Sequence, residues 1–104
     1  MRKIAILIFA LMLAACGDES DAQKAVKSIL KDPDSAKFGK TTLLKGADGK
    51  DYACVTVNAK NAMGGYVGDK QSVVIKLKDQ WESLGTDDES HEQCIFVITA
   101  MSKK

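Results

Sequence analysis

Among its 104 residues the sequence has one histidine, one proline and one tryptophan, and it has no excess of charge of either sign. Fifteen basic against fourteen acidic side chains argue against an electrostatic nucleic-acid binder, which carries a basic patch and a high isoelectric point. A single His, with no Cys-x-x-Cys and no His-Glu-x-x-His, gives a metal centre no convergent ligands, so no metal site and no cofactor is expected. The acidic groupings have plain uses: Asp87-Asp88-Glu89 with Glu92 reads as a solvated loop, and Asp48 to Asp51 around Gly49 as a hairpin turn. His91 reads as a surface residue. No serine has a Gly-x-Ser-x-Gly setting, and no Gly-x-x-x-x-Gly-Lys-Ser/Thr loop is present, so nothing supports an enzyme. Internal repeats and low-complexity segments are missing too. Only one long apolar run exists, and its twelve residues (4–15) fall short of the ~20 needed to span a bilayer.

That run is the strongest feature present. Thirteen of the first fifteen positions are apolar, so the overall apolar fraction of 45% overstates the rest of the chain. Met1-Arg2-Lys3 forms a positive start, Ile4 to Leu13 an apolar stretch, and Ala14-Ala15 the small residues before a cleavage point, which together read as a secretory signal peptide over 1–15. Leu13-Ala14-Ala15-Cys16 resembles the bacterial lipobox, in which the Cys thiol is acylated before cleavage. The resemblance implies a lipoprotein, held to the membrane by acyl chains on Cys16, with residues 16–21 as an acylated tether. In the sorting scheme of enteric bacteria, Asp directly after the Cys retains a lipoprotein in the inner membrane. Here Gly17 holds that place and Asp18 follows, which implies the outer membrane, facing the periplasm. The competing reading is an ordinary secreted protein cleaved near Ala15 with Cys16 left as a free thiol.

Residues 22–104 read as one small α+β domain, a helix followed by a three- or four-stranded antiparallel sheet. Ser20 or Asp21 caps a helix in which Ala22, Ala25, Val26, Ile29 and Leu30 share a face, and Pro33 stops it. Asp32-Pro33-Asp34-Ser35 begins a further turn carrying Ala36 and Phe38. Strands are expected over 41–45, 51–59 and 71–78, with Ala53, Val55, Val57 and Ala59 on one face of the second and Tyr52, Cys54, Thr56 and Asn58 on the other. Residues 79–93 read as a polar connection around Trp81. Residues 94–101 read as a fourth strand, with a helix as the alternative for so short an apolar run. With Cys16 acylated, Cys54 and Cys94 of an exported chain should pair, stapling a domain with few apolar residues. The alternative makes one of them a nucleophile with His91 as its base.

The segment 58–68 is the candidate contact surface. Three glycines within five positions surround Tyr66, and two amides and a cation precede it, so Asn58, Lys60, Asn61, Gly64, Gly65 and Tyr66 are the candidate partner-binding residues. A purely structural turn, with Met63 and Tyr66 covering one end of the core, is the other reading. Two stretches resemble a group of small exported bacterial and phage-encoded proteins of unknown function, many of them lipoproteins. These are Asp32-Pro33-x-Ser35-x-x-Phe38 and Cys54-x-x-Val57-Asn58-x-Lys60-Asn61-x-x-Gly64-Gly65-Tyr66-x-Gly68. The resemblance covers about a third of the mature chain, departs at Val55, and implies the fold and the disulfide but no catalytic residue. The function expected is a non-catalytic lipoprotein presenting a binding or structural domain to an envelope protein. A phage or prophage exclusion lipoprotein, acting on an outer-membrane receptor or on DNA entry, is the alternative.

Overall fold

The structure, a computed structural model, describes residues 17–101. Helix α1 (17–27) is followed by a 3-10 turn (Pro33–Ser35), four strands, β1 (Lys37–Lys45), β2 (Asp51–Asn58), β3 (Lys70–Leu77) and β4 (Gln80–Asp87), and helix α2 (His91–Met101). The strands form one antiparallel sheet in the order β1-β2-β3-β4, each paired with the next along the chain. The α+β class and the disulfide are as expected. The layering adds a second helix.

Residues 17–21 are helical, not a tether, and Ser20 and Asp21 lie inside α1, not at its cap. The start of the helix is docked. Asp18 Oδ1 lies 3.5 Å from Lys76 Nζ of β3, and Ala22 one turn later is fully buried. Ala22, Ala25 and Val26 pack on Ala53, Val55, Val57 and Val74, with Leu30, Phe38 and Trp81 around them. Each fully buried Val contributes roughly 1.5–3 kcal/mol. The helix ends before Ile29 and Leu30, since Ile29 N–H and Leu30 N–H bond Val26 O and Lys27 O in tighter three-residue steps. Leu30 still reaches the core, while Ile29 is left 45% exposed.

β1 begins four residues before the expected Thr41. Gly39 reads as a boundary but sits at a bulge between Phe38 and Thr41, where a Cβ would approach Thr56 Cγ2 to 3.2 Å. β2 is buried on both faces and alternates as its sequence requires, its Ala53, Val55 and Val57 facing α1. β3 divides likewise, Val74 to one side, Val73 and Ile75 to the other.

The expected polar connection 79–93 is mostly β4, and the expected strand 94–101 is the body of α2. β4 is an edge strand whose less exposed side chains are Trp81, Ser83 and Gly85, so its inner face shows no apolar pattern. Two local demands account for the small residues: the fully buried Ser72 hydroxyl bonds Ser83 Oγ at 2.6 Å and the Gly85 carbonyl at 2.9 Å, and Gly85 takes a φ of 119°. α2 is capped by Ser90, whose Oγ accepts from Gln93 N–H at 3.1 Å. Cys94 and Ile98, with half-buried Ile95, then face the sheet beside Tyr52, Val73 and Ile75. The sheet is thus covered by α1 on one face and α2 on the other. Cys54 of β2 is bonded to Cys94 of α2, with an S–S distance of 2.12 Å.

The sheet has two ends. At one lie the turns 46–50 and 78–79 and, through Asp18 and Lys76, the start of α1. At the other, eight residues of β2 or roughly 25 Å away, lie Leu30, the Pro33–Ser35 turn and the segment after Asn58.

Candidate functional site

The segment 58–68 folds into a small closed loop. Lys60 and Tyr66 form an isolated antiparallel bridge; Asn61 N–H donates to Gly65 O at 2.9 Å and Gly64 N–H to Asn61 O at 3.0 Å. The side-chain amides hold it in shape: Asn61 Oδ1 accepts from Met63 N–H and Gly65 N–H, and Asn58 Oδ1 accepts from Gly68 N–H. Gly64 and Gly68 take φ values of 86° and 93°, which a side chain rarely adopts. Asn58, Lys60, Asn61, Gly64, Gly65 and Tyr66 are therefore brought together. The two asparagines act mainly on their own backbone.

What fixes the loop to the domain lies in the first of the two sequence stretches. Ser35 Oγ accepts from Lys60 N–H at 2.8 Å while donating to Asp32 O, and Ser35 O accepts from the Tyr66 hydroxyl at 3.0 Å. Lys37 Nζ lies 4.6 Å from the Tyr66 ring centroid and Lys60 Nζ 5.5 Å, so the ring is flanked by two ammonium groups. Ser35 and Lys37 belong to the site, and loop composition alone gives no sign of either. The signal was the joint occurrence of the two stretches. Met63 at the tip is 94% exposed and Val67 46%. Beside the loop opens a groove of about 270 Å³, lined by Leu30, Val57 and Val67 and by Lys31, Lys60 and Lys70.

His91 is not at the surface: it is 8% exposed and lies between three strands. Its Nε2 is 2.7 Å from Thr42 Oγ1, and its Nδ1 is 3.0 Å from Gln71 Oε1 and 3.1 Å from Thr56 Oγ1; Thr56 also donates to Gln71 Oε1 at 2.8 Å. Gln71 Oε1 can only accept, so Nδ1–H donates to it, while Nε2 shares a hydrogen bond with the Thr42 hydroxyl. Neither Cys54 nor Cys94 offers it a thiol, because they are bonded to each other.

The acidic residues are engaged locally. Asp88 pairs with Lys70, Glu92 Oε2 lies 4.0 Å from Lys40 Nζ, and Asp51 Oδ1 lies 3.2 Å from Lys45 Nζ. Asp48 accepts from the Tyr52 hydroxyl at 2.8 Å and from Lys50 N–H at 3.1 Å, and these bonds, the tyrosine's foremost, hold its carboxyl below the ordinary value of 3.8. The same bond, then burial, pushes the Tyr52 hydroxyl above 10.0. Among the described residues no three His, Cys, Asp or Glu side chains are grouped to hold a metal ion, and no helix is long and apolar enough to cross a membrane. The signal peptide and Cys16 lie outside the described residues. No family model matches the chain, and neither a curated protein nor a solved structure matches it.

Proposed function

We propose that the chain is the precursor of a non-catalytic lipoprotein, anchored through acyl chains on Cys16 in the cell envelope, on the periplasmic face of the outer membrane. On this reading its domain presents the loop 58–68 to an envelope protein. The observation that carries the anchor is the run from Met1 to Cys16: charge, apolar length and Leu13-Ala14-Ala15-Cys16 agree in one segment. Contact through the loop is supported by its construction. Hydrogen bonds to Ser35 hold it still, so little ordering cost attends binding, and Met63 and the edge of Tyr66 stand out as adaptable and aromatic contacts. Lys31 and Lys60 along the groove, with Lys70 already paired to Asp88, favour a partner segment carrying a carboxylate beside an apolar group.

Fractionation of cells expressing the full chain and its Cys16→Ser variant tests the anchor. The parent should sediment with membranes and enter the detergent phase, while the variant should not. Equal partitioning of the two would contradict the proposal.

A further inference from the structure

The end of the sheet opposite the contact loop carries a set of residues that the loop does not explain. Asp18 is two residues beyond Cys16, so their Cα atoms are at most about 7 Å apart whatever the local conformation. Asp18 pairs with Lys76, and Lys76 Nζ sits 5.8 Å from the ring centroid of Trp81. A groove of about 210 Å³ opens there, lined by Leu43, Tyr52 and Trp81 and by the charged Asp18, Lys45 and Asp51, among others. Trp81 Nε1 is buried and has no hydrogen-bond partner among the described residues. Leu43 is 38% exposed and Leu77, at the adjoining turn, 41%.

We propose that this end, with Leu43, Leu77 and Trp81, is the membrane-facing surface of the domain, and that bilayer lipid fills the groove. The inference rests on acylation of Cys16. Its own content is orientation: α1 follows the anchor with no flexible spacer from Gly17 onward, so the lipid attachment point and the groove share one end of the molecule. A half-buried indole with exposed leucines at the same end of the sheet is suited to the boundary between headgroups and acyl chains, where its apolar area is covered. Charges of both signs are mixed here: Lys45 and Lys76 pair with Asp51 and Asp18, and Lys50 and Lys78 stand among Asp48, Asp79, Glu19 and Glu82. Contact is therefore apolar and interfacial, not a polybasic attraction, and it should be insensitive to salt and to anionic lipid. The loop 58–68 then points away from the bilayer.

Trp81 is the sole tryptophan, so indole fluorescence reports on this surface alone. The acylated protein, purified from membranes, would be reconstituted into phosphatidylcholine vesicles with and without bromine on the acyl chains. Bromine should lower the emission roughly twofold or more, since bromine quenches an indole only at close range and indoles lodge at that depth. A Met63→Trp, Trp81→Phe double variant moves the indole to the exposed loop at the opposite end and should not be quenched. Flotation with vesicles but no quenching of Trp81 would overturn the orientation and leave the anchor standing. Equal quenching of both proteins would overturn it also, while failure of the protein to float would remove the anchor on which it rests.

Discussion

His91 shows what a single side chain does in this fold. It reads as a surface residue from its polar neighbours Ser90, Glu92 and Gln93, yet it begins α2 beneath three strands and closes a polar network with Thr42, Thr56 and Gln71. Buried polar groups without partners cost about 1–3 kcal/mol. His91→Leu strands Thr42 and weakens the hold on Gln71, so urea unfolding should show a loss in that range; an unchanged midpoint would contradict the network. Asp48 and Tyr52 give the pH dependence. A carboxyl held below its ordinary value adds stability above about pH 3.8, which is lost as pH falls through the folded-state value. A hydroxyl raised above 10.0 adds stability that is fully present below that value and lost as pH rises through the folded one. Tyr52→Phe should return the Asp48 titration, followed by NMR, toward 3.8. An Asp48 titration that does not move would show that Tyr52 is not the cause.

At the scale of elements, the sequence is legible where burial imposes a period and silent where it does not. The alternation of β2 and β3 and the Ala22, Ala25, Val26 face of α1 are written in side chains that pack on one another. β4 is not, because its inward positions below Trp81 are Ser83, which bonds the buried Ser72 hydroxyl, and Gly85, whose φ of 119° suits glycine. α2 is hidden by its β-branched residues Ile95, Val97, Ile98 and Thr99, which favour strand on composition. Its Ser90 cap and the spacing of His91, Cys94 and Ile98 were the available helix signals, and the cap carries them. The contact loop is legible as a set of residues but not as a braced object, since Ser35 lies 25 positions before Lys60 and 31 before Tyr66. Ser35→Ala removes the acceptor for Lys60 N–H. Amide exchange at Lys60 should rise by roughly fivefold, the equivalent of about 1 kcal/mol for one hydrogen bond, while the strands keep their protection. Faster exchange throughout the sheet would show that the turn supports the fold rather than the loop.

The described residues form a thin domain, a single sheet between two helices, with one covalent staple through its middle. Bridging residues 40 positions apart removes unfolded-state freedom worth about 4 kcal/mol by loop entropy, a large share of what a domain of this size retains. One thiol of three is then left, and the account gives it to lipid. The two ends of the sheet receive separate tasks, attachment at the Asp18 end and contact at the Tyr66 end. Mass spectrometry of the mature protein, isolated from membranes without reductant, tests this division of the three cysteines most directly. The mature chain should begin at Cys16 and be heavier than its sequence by acyl chains that include a diacylglyceryl group on the Cys16 thiol, with Cys54 and Cys94 joined. A chain that begins elsewhere, or one that begins at Cys16 with an unmodified thiol, would contradict this division.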